Sequence, residues 1–331
     1  MKINIFTEAE MLKLRTTGIV TSYKELKKAL EYEGVEVVVN EKKDYDLLHV
    51  HSFGPLSLMK VLGEDKPVVI TTHMVPDEIG LLYRGGVYFQ GLFEEYLGFL
   101  YNQANLLISP SAFAKKRVQK MGVRSRIVVE SNGIDTSKFY RSVEKRKQMR
   151  KQFGITDNDI VVGCVGLPSK RKGLDVFAEV AKCLPEIKFM WVGENIYGRL
   201  LKDYEYLRRL KEDHPKNVIL TGYMEDIQAA YSSMDVFMFP TMIETEGLVA
   251  IEAACCDLPI ITSRVEGLGW LEEGKHCLKA HTLEEYVNAV TTLIEHPEET
   301  KQLATAAKNL AKEKDITRVV KKVVSLYETL I

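Results

Sequence analysis

"CVGLPSKRKGLDVF", residues 164–177, holds a strand end, a turn and a helix start within one short run. The apolar strand stops at Val165-Gly166. Lys170, Arg171 and Lys172 then stand side by side, and Gly173 opens the helix. A helix start carries unpaired N–H groups and partial positive charge, which attract anions. Arginine forks onto two oxygens while lysine acts as a point charge, so the turn suits a diphosphate. A solvated basic turn fits the same letters. It is no Walker loop, because the glycine spacing and the Lys-Ser/Thr ending are missing.

Outward from this stretch the same rhythm repeats. "KINIF", "VEVVV", "DLLHVH" and "PVVITTH" read as strands in the first half, separated by helical runs such as "VTSYKELKKALEYEG" and "LFEEYLGFLYNQA". After the polar, basic run "RSVEKRKQMRKQFG", which reads as a connector rather than core, the alternation restarts. "DIVVGCVG", "IKFMWVG", "NVILTG", "DVFMFP" and "LPIIT" are strands, with helices between them and a purely helical tail. Strand and helix in alternation predict parallel sheets covered by helices. The expected fold is therefore α/β, two doubly wound Rossmann-like halves facing a cleft, with ligands at the carboxyl ends of the strands.

The 331 residues suffice for two such cores. A net charge of −1 gives no global field that would recruit nucleic acid. Cys164, Cys183, Cys255, Cys256 and Cys277 show no metal-ligand spacing and read as small core residues of a reducing cytoplasm. "MKINIFTEAE" turns acidic too soon for a signal peptide, and no apolar run reaches the length of a bilayer span. A soluble protein is expected, or one lying on the inner face of a membrane. No metal and no cofactor are expected.

A second constellation follows "DVFMFP". In "ETEGLVAIEAACCDLPII", residues 244–261, Glu244 falls in the loop, Glu246-Gly247-Leu248 start a helix, and Glu252 lies about a turn inside it. A carboxylate near a helix start can accept two ribose hydroxyls at once, and Gly247 lets backbone approach a ligand. A capping glutamate plus a solvated one is the plain alternative.

Taken together, the chain resembles the retaining glycosyltransferases of family 4, which have the GT-B fold. The glutamate pair with seven residues between, Gly166 with Lys172-Gly173 six and seven residues on, "SPSAFAKKRVQKMGV", "VVESNGID" and the N-terminal glycine before a helix occur in the family's order. The resemblance implies halves at 1–152 (acceptor side) and 153–314 (donor side), with the last helix, about 315–331, packing back on the first. It assigns Arg171 and Lys172 to the donor diphosphate, Glu252 to the ribose and Glu244 to the donor sugar. Gly166 is the strand-end glycine, and the backbone of Glu246, Gly247 and Leu248 lies near phosphate and sugar oxygens. In the first half, Gly18 belongs to a loop over the donor phosphates, and His73 at a strand end faces the donor sugar. Leu167 and Glu246 depart from the family, which often has arginine and phenylalanine there; Arg171 is expected to substitute for the former.

His49 and His51 are expected to face away from each other, with His49 in the core and His51 at the strand end. "GIVTS", "THMVPDE" and "ETEGL" resemble the branch that glucosylates diacylglycerol, implying UDP-glucose as donor and a lipid acceptor. Lys115, Lys116, Arg117, Lys120 and Arg124, with Phe113 and Val118 as an apolar side, read as a surface for anionic lipid or as an ordinary solvated helix face. The aromatic run "LLYRGGVYFQGLFEEYLGFLY" fits an acceptor groove, a membrane edge or core. A soluble sugar acceptor, and a nucleotide-sugar-binding protein without turnover, are the remaining readings.

Overall fold

The computed structural model describes residues 1–12, 18–195 and 197–331. The chain forms two compact units. The first comprises Met1–Ile79, Val87–Asp135 and Glu313–Ile331, and the second Gly80–Gly86 and Thr136–Lys312.

The first unit runs β1 (Lys2–Phe6), α1 (Glu8–Met11), α2 (Gly18–Tyr32), β2 (Glu36–Val39), β3 (Leu47–Val50), α3 (Pro55–Leu62) and β4 (Val68–Thr71). It continues through α4 (Pro76–Leu82), α5 (Gly86–Tyr101), β5 (Leu106–Ser109), α6 (Ala112–Lys120) and β6 (Arg126–Val129). The strands are all parallel, in the order β2-β1-β3-β4-β5-β6. Both faces of this sheet are covered, so its strands read as unbroken apolar runs. Their period of two deals alternate residues to opposite cores. Leu47, Val69, Leu106 and Ile108 meet one layer of helices. Leu48, Val50, Ile70 and Leu107 meet α5 and α6 through Leu97, Leu100, Tyr101 and Val118.

The second unit begins with α7 (Val143–Gln152), then β7 (Val161–Val165), α8 (Leu174–Cys183), β8 (Lys188–Val192), α9 (Tyr204–Glu212) and β9 (Val218–Gly222). It goes on through α10 (Ile227–Ser233), β10 (Val236–Phe239), α11 (Leu248–Cys255), β11 (Ile260–Ser263), β12 (Leu278–Ala280), α12 (Leu283–Glu295) and α13 (Pro297–Ala311). Its parallel sheet has the order β12-β11-β10-β7-β8-β9. The last helix, α14 (Ile316–Glu328), lies in the first unit, where Val319, Val320, Val323 and Tyr327 pack beside Leu26 and Leu30 of α2.

Three sequence expectations change here. The segment 136–152, placed with the first half, packs with the second unit, and α7 is no mere connector. Arg150 is only 1% exposed and holds Asp235 at 2.6 Å, together with the carbonyls of Ser233, Thr156 and Asp159. Arg146 and Arg141 bond the other oxygen of the same carboxylate, and Asp235 also takes the Val161 N–H. A buried cation persists only when its donors find acceptors, and this cluster supplies them. Gly80–Gly86 likewise joins the second unit, through the Arg84 N–H to Leu200 O and the Lys202 N–H to Leu82 O. Finally, Cys183 at the end of α8 is exposed, unlike the four buried cysteines.

Candidate active site

Chain order and sheet order together explain why distant residues meet in the second unit. From β7 the chain moves outward to β8 and β9, then returns to the other side of β7 as β10. The turns after β7 and β10 therefore lie next to each other at the carboxyl ends, at a topological switch point, where such sheets bind ligands. The first turn carries Arg171 and Lys172, the second Glu244 and Glu246. Gly173 locks the two turns together. It has φ 80°, and a Cβ there would sit 2.0 Å from the Pro240 carbonyl oxygen, so no other residue fits.

Residues 170–172 form a 3-10 turn rather than an open helix start. Its N–H groups are taken up locally: Lys170 N by Asp203 at 2.8 Å, Lys172 N by Ser169, and Gly173 N and Leu174 N by carbonyls of the same turn. The positive potential expected from these N–H groups therefore comes instead from the side chains. Lys172 Nζ bonds the Glu244 carboxylate and lies over the Phe239 ring. Both side chains of this pair are largely enclosed, 14% and 12% exposed. Arg171 is buried, and its carbonyl accepts from Met242 N at 2.8 Å, next to the glutamate loop. Lys170 points elsewhere, over the Tyr206 ring. Burial alone would raise the pKa of Glu244. The Lys172 and Arg171 charges and the Thr245 N–H outweigh it and hold the carboxyl below its ordinary range.

Gly247, also left-handed, caps α11. Glu252, inside α11, is buried and accepts the Tyr231 hydroxyl at 2.6 Å. Glu246 is buried, and its carbonyl accepts the Trp270 indole N–H at 2.9 Å. Leu248 follows as the first residue of the helix. Gly166 ends β7 in open space, where a Cβ would meet nothing. Sequence reading missed Tyr231, Trp270, Asp203 and Gly267. A Cβ on Gly267 would lie 1.6 Å from Glu244 O, so this glycine sets how close the 266–268 turn comes to the glutamate loop. Only its Gly-Leu-Gly setting in "EGLG" could have pointed to it. Tyr83, carried into this unit by Gly80–Gly86, meets Tyr197 edge-on at 5.7 Å.

In the first unit, Gly18 is the first residue of α2, and residues 13–17 of the loop before it lie outside the described residues. His73 follows β4, partly buried, with Nε2 3.0 Å from His51 Nδ1. His49 and His51 do not face apart. Side chains two apart on an extended chain point to the same face, and the two rings lie 4.2 Å apart. His49 is buried between the Tyr327 hydroxyl at 2.6 Å and Thr71 Oγ1 at 2.8 Å. Of the two readings of the basic helix α6, the ordinary solvated face fits the packing: Val118 lies in the core, Phe113 is half-buried, and Arg117 pairs with Asp77 of α4 at 2.6 Å. Lys115, Lys116, Lys120 and Arg124 remain as a polar face. The exposed apolar side chains lie instead on α5, with Tyr88 at 90% and Leu92 at 68%, and on α3, with Met59 at 70%. Among the described residues no cluster could hold a metal ion, and no helix is long and apolar enough to cross a membrane.

Two family profiles match this chain. One, for glycosyl transferases group 1, covers residues 159–296; the other, glycosyltransferase family 4, covers residues 39–138. The chain belongs to the family 4 glycosyltransferases and has the GT-B fold. Among its relatives is a processive diacylglycerol alpha-glucosyltransferase of Acholeplasma laidlawii, 28% identical over 100% of this chain and 99% of the relative. An alpha-galactosylglucosyldiacylglycerol synthase of Streptococcus pneumoniae is 24% identical over 95% of this chain and 85% of its own length. Among solved structures, HepE of Anabaena in complex with UDP-glucose superposes with TM-score 0.83 at 20% identity, covering 100% of both chains. Sucrose-phosphate synthase of Thermosynechococcus elongatus gives 0.84 at 16% identity, over 100% of this chain and 99% of the other.

Proposed function

We propose that this glycosyltransferase moves a hexose, glucose first, from a UDP-sugar to the hydroxyl of diacylglycerol or a related glycolipid precursor, with retention and without a metal. The observation that carries this reading is the enclosed Lys172–Glu244 pair beside Arg171 at the switch point of the second sheet. In this reading Lys172 exchanges its bond to Glu244 for the donor diphosphate, which frees Glu244 for the sugar hydroxyls. Glu252 holds the ribose, and His73 is assigned to the donor sugar. As the glycosidic bond lengthens, Arg171 and Lys172 stabilise the charge growing on the leaving phosphate oxygen. That oxygen takes the proton of the acceptor hydroxyl as it attacks from the same face. Preorganised charge of this kind is the main catalytic term in many enzymes.

Support for a lipid acceptor comes from the two relatives named for diacylglycerol products, and from the apolar side chains that α3 and α5 turn to solvent. Phe53, just before α3, meets Phe93 of α5 edge-on at 6.1 Å. Aromatic and aliphatic groups of this kind suit a membrane interface, which places the protein at the cytoplasmic face of a bilayer in this reading. The test is UDP release from UDP-glucose with and without vesicles containing diacylglycerol, followed by mass analysis of the product. Lipid-dependent release with a glucosylated lipid is expected. Equal turnover with soluble sugars would overturn the lipid reading, and no release with any donor would overturn transfer itself.

A further inference from the structure

His51 does not take part in the proposed chemistry, yet it is only 1% exposed and touches a residue that does. Its Nδ1 lies 3.0 Å from Nε2 of His73. Its other nitrogen, Nε2, is buried and has no hydrogen-bond partner among the described residues. The neighbouring His49 has both nitrogens satisfied, by Tyr327 and Thr71, so the gap is specific to His51. His51 also lines a cavity of about 10 Å³ with Ser22, His49, Thr71, Ser131 and Asn132. Leu26, Ile108, Val319 and Val323 also line it, and its volume is just enough for one water held by the polar groups. Ser22 Oγ donates to Asn132 Oδ1 at 3.0 Å and keeps lone pairs to offer such a water.

The Nδ1···Nε2 contact has a strict consequence when both rings are neutral, the form that burial favours for each. One proton occupies the bond. If His51 Nδ1–H donates, His73 Nε2 is bare and its proton sits on Nδ1. If His73 Nε2–H donates, His51 Nδ1 is bare and its proton sits on Nε2. The two rings therefore share one tautomer, both Nδ1–H or both Nε2–H. Whatever His51 Nε2 meets in the cavity decides whether the far nitrogen of His73 is a donor or an acceptor.

We propose that His51 is a positioning residue: with one water in the void beside its Nε2, it locks the tautomer and ring orientation that His73 offers to the donor sugar. This rests on the assignment of His73 above. The coupling itself is tested without activity, by ¹⁵N spectra of the histidine rings in the full-length protein. Matched tautomers for His51 and His73 are expected, and opposite tautomers would overturn the proposal. In His51→Phe the His73 ring is expected to show both tautomers, and kcat with UDP-glucose to fall roughly tenfold, the worth of one good hydrogen bond. His51→Asn returns a side-chain nitrogen near the Nδ1 position and is expected to restore a single His73 tautomer and most of the rate. If both variants lose activity equally while His73 keeps one tautomer, His51 is merely structural and the proposal fails. If His73 loses its single tautomer in His51→Phe but turnover is unchanged, the positioning stands and the donor-contact reading of His73 is what fails.

Discussion

In the proposed function the chemistry turns on Lys172 and Glu244, which neutralise each other in a largely enclosed setting. Lys172→Ala is expected to lower turnover of UDP-glucose by roughly a hundredfold or more, with a circular dichroism spectrum and unfolding midpoint close to wild type. A rate near wild type would remove Lys172 from the site. Glu252→Gln keeps the shape but weakens acceptance of two hydroxyls, so the donor KM is expected to rise while kcat changes little. Gly267 tests position rather than charge. A methyl at 1.6 Å from Glu244 O forces the two turns apart, so Gly267→Ala should lose about 1–3 kcal/mol in a urea titration and should lower kcat through Glu244.

At the scale of elements, α7 shows how a polar helix becomes part of a core. Only three positions of "RSVEKRKQMRKQFG" carry apolar side chains, Val143, Met149 and Phe153, yet Arg150 is among the largest fully buried side chains. What holds it is Asp235, at the start of β10, with three backbone carbonyls. Asp235→Ala is expected to cost about 3 kcal/mol, at the low end for breaking a buried pair because those carbonyls remain. Chemical denaturation measures it. Helices α5 and α6 settle differently among the readings their sequences allowed. The apolar side of α6 completes the core, whereas α5 is apolar around more of its circumference than the core can cover. Tyr88→Ser combined with Leu92→Ser should weaken vesicle binding while leaving turnover of a short-chain, soluble acceptor unchanged.

Over the whole molecule, the buried His49 and His51 and the half-buried His73 tie stability to pH. Burial pushes the pKa of His49 and His73 from 6.5 down to about 3, and that of His51 well below its ordinary value. The unfolded chain binds these protons near pH 6.5, and the folded chain does not until far lower. Stability therefore falls as pH drops below about 6.5 and levels off only near the folded values, by about 1.4 kcal/mol per pH unit for each such histidine. Thermal midpoints taken between about pH 6.5 and 5, above the carboxylate range, should show this slope. His49→Gln should make it shallower.

Much of this was legible in the letters. Alternating apolar strands and helical runs predicted two parallel sheets, since strands buried on both faces must be apolar throughout, and that pattern is local. The two turns at 164–177 and 244–252 could be picked out by residue type as candidate anion and hydroxyl binders, with a solvated turn and a capping glutamate as the plain alternatives. Their meeting could not be, because it depends on β10 returning beside β7, a choice of strand order that no local pattern records. For the same reason the partners of the site stayed hidden: Tyr231 under Glu252, Gly267 against Glu244 and His51 behind His73 are ordinary residues until the fold sets them there. The expectation that His49 and His51 face apart failed because a period of two puts residues i and i+2 on the same face of an extended chain. Element type and chemical inventory thus belong to the sequence, through short-range sterics and hydrophobic period. Which groups touch, which cation is buried and which apolar face is left to solvent were decided only by the packing of layers in three dimensions.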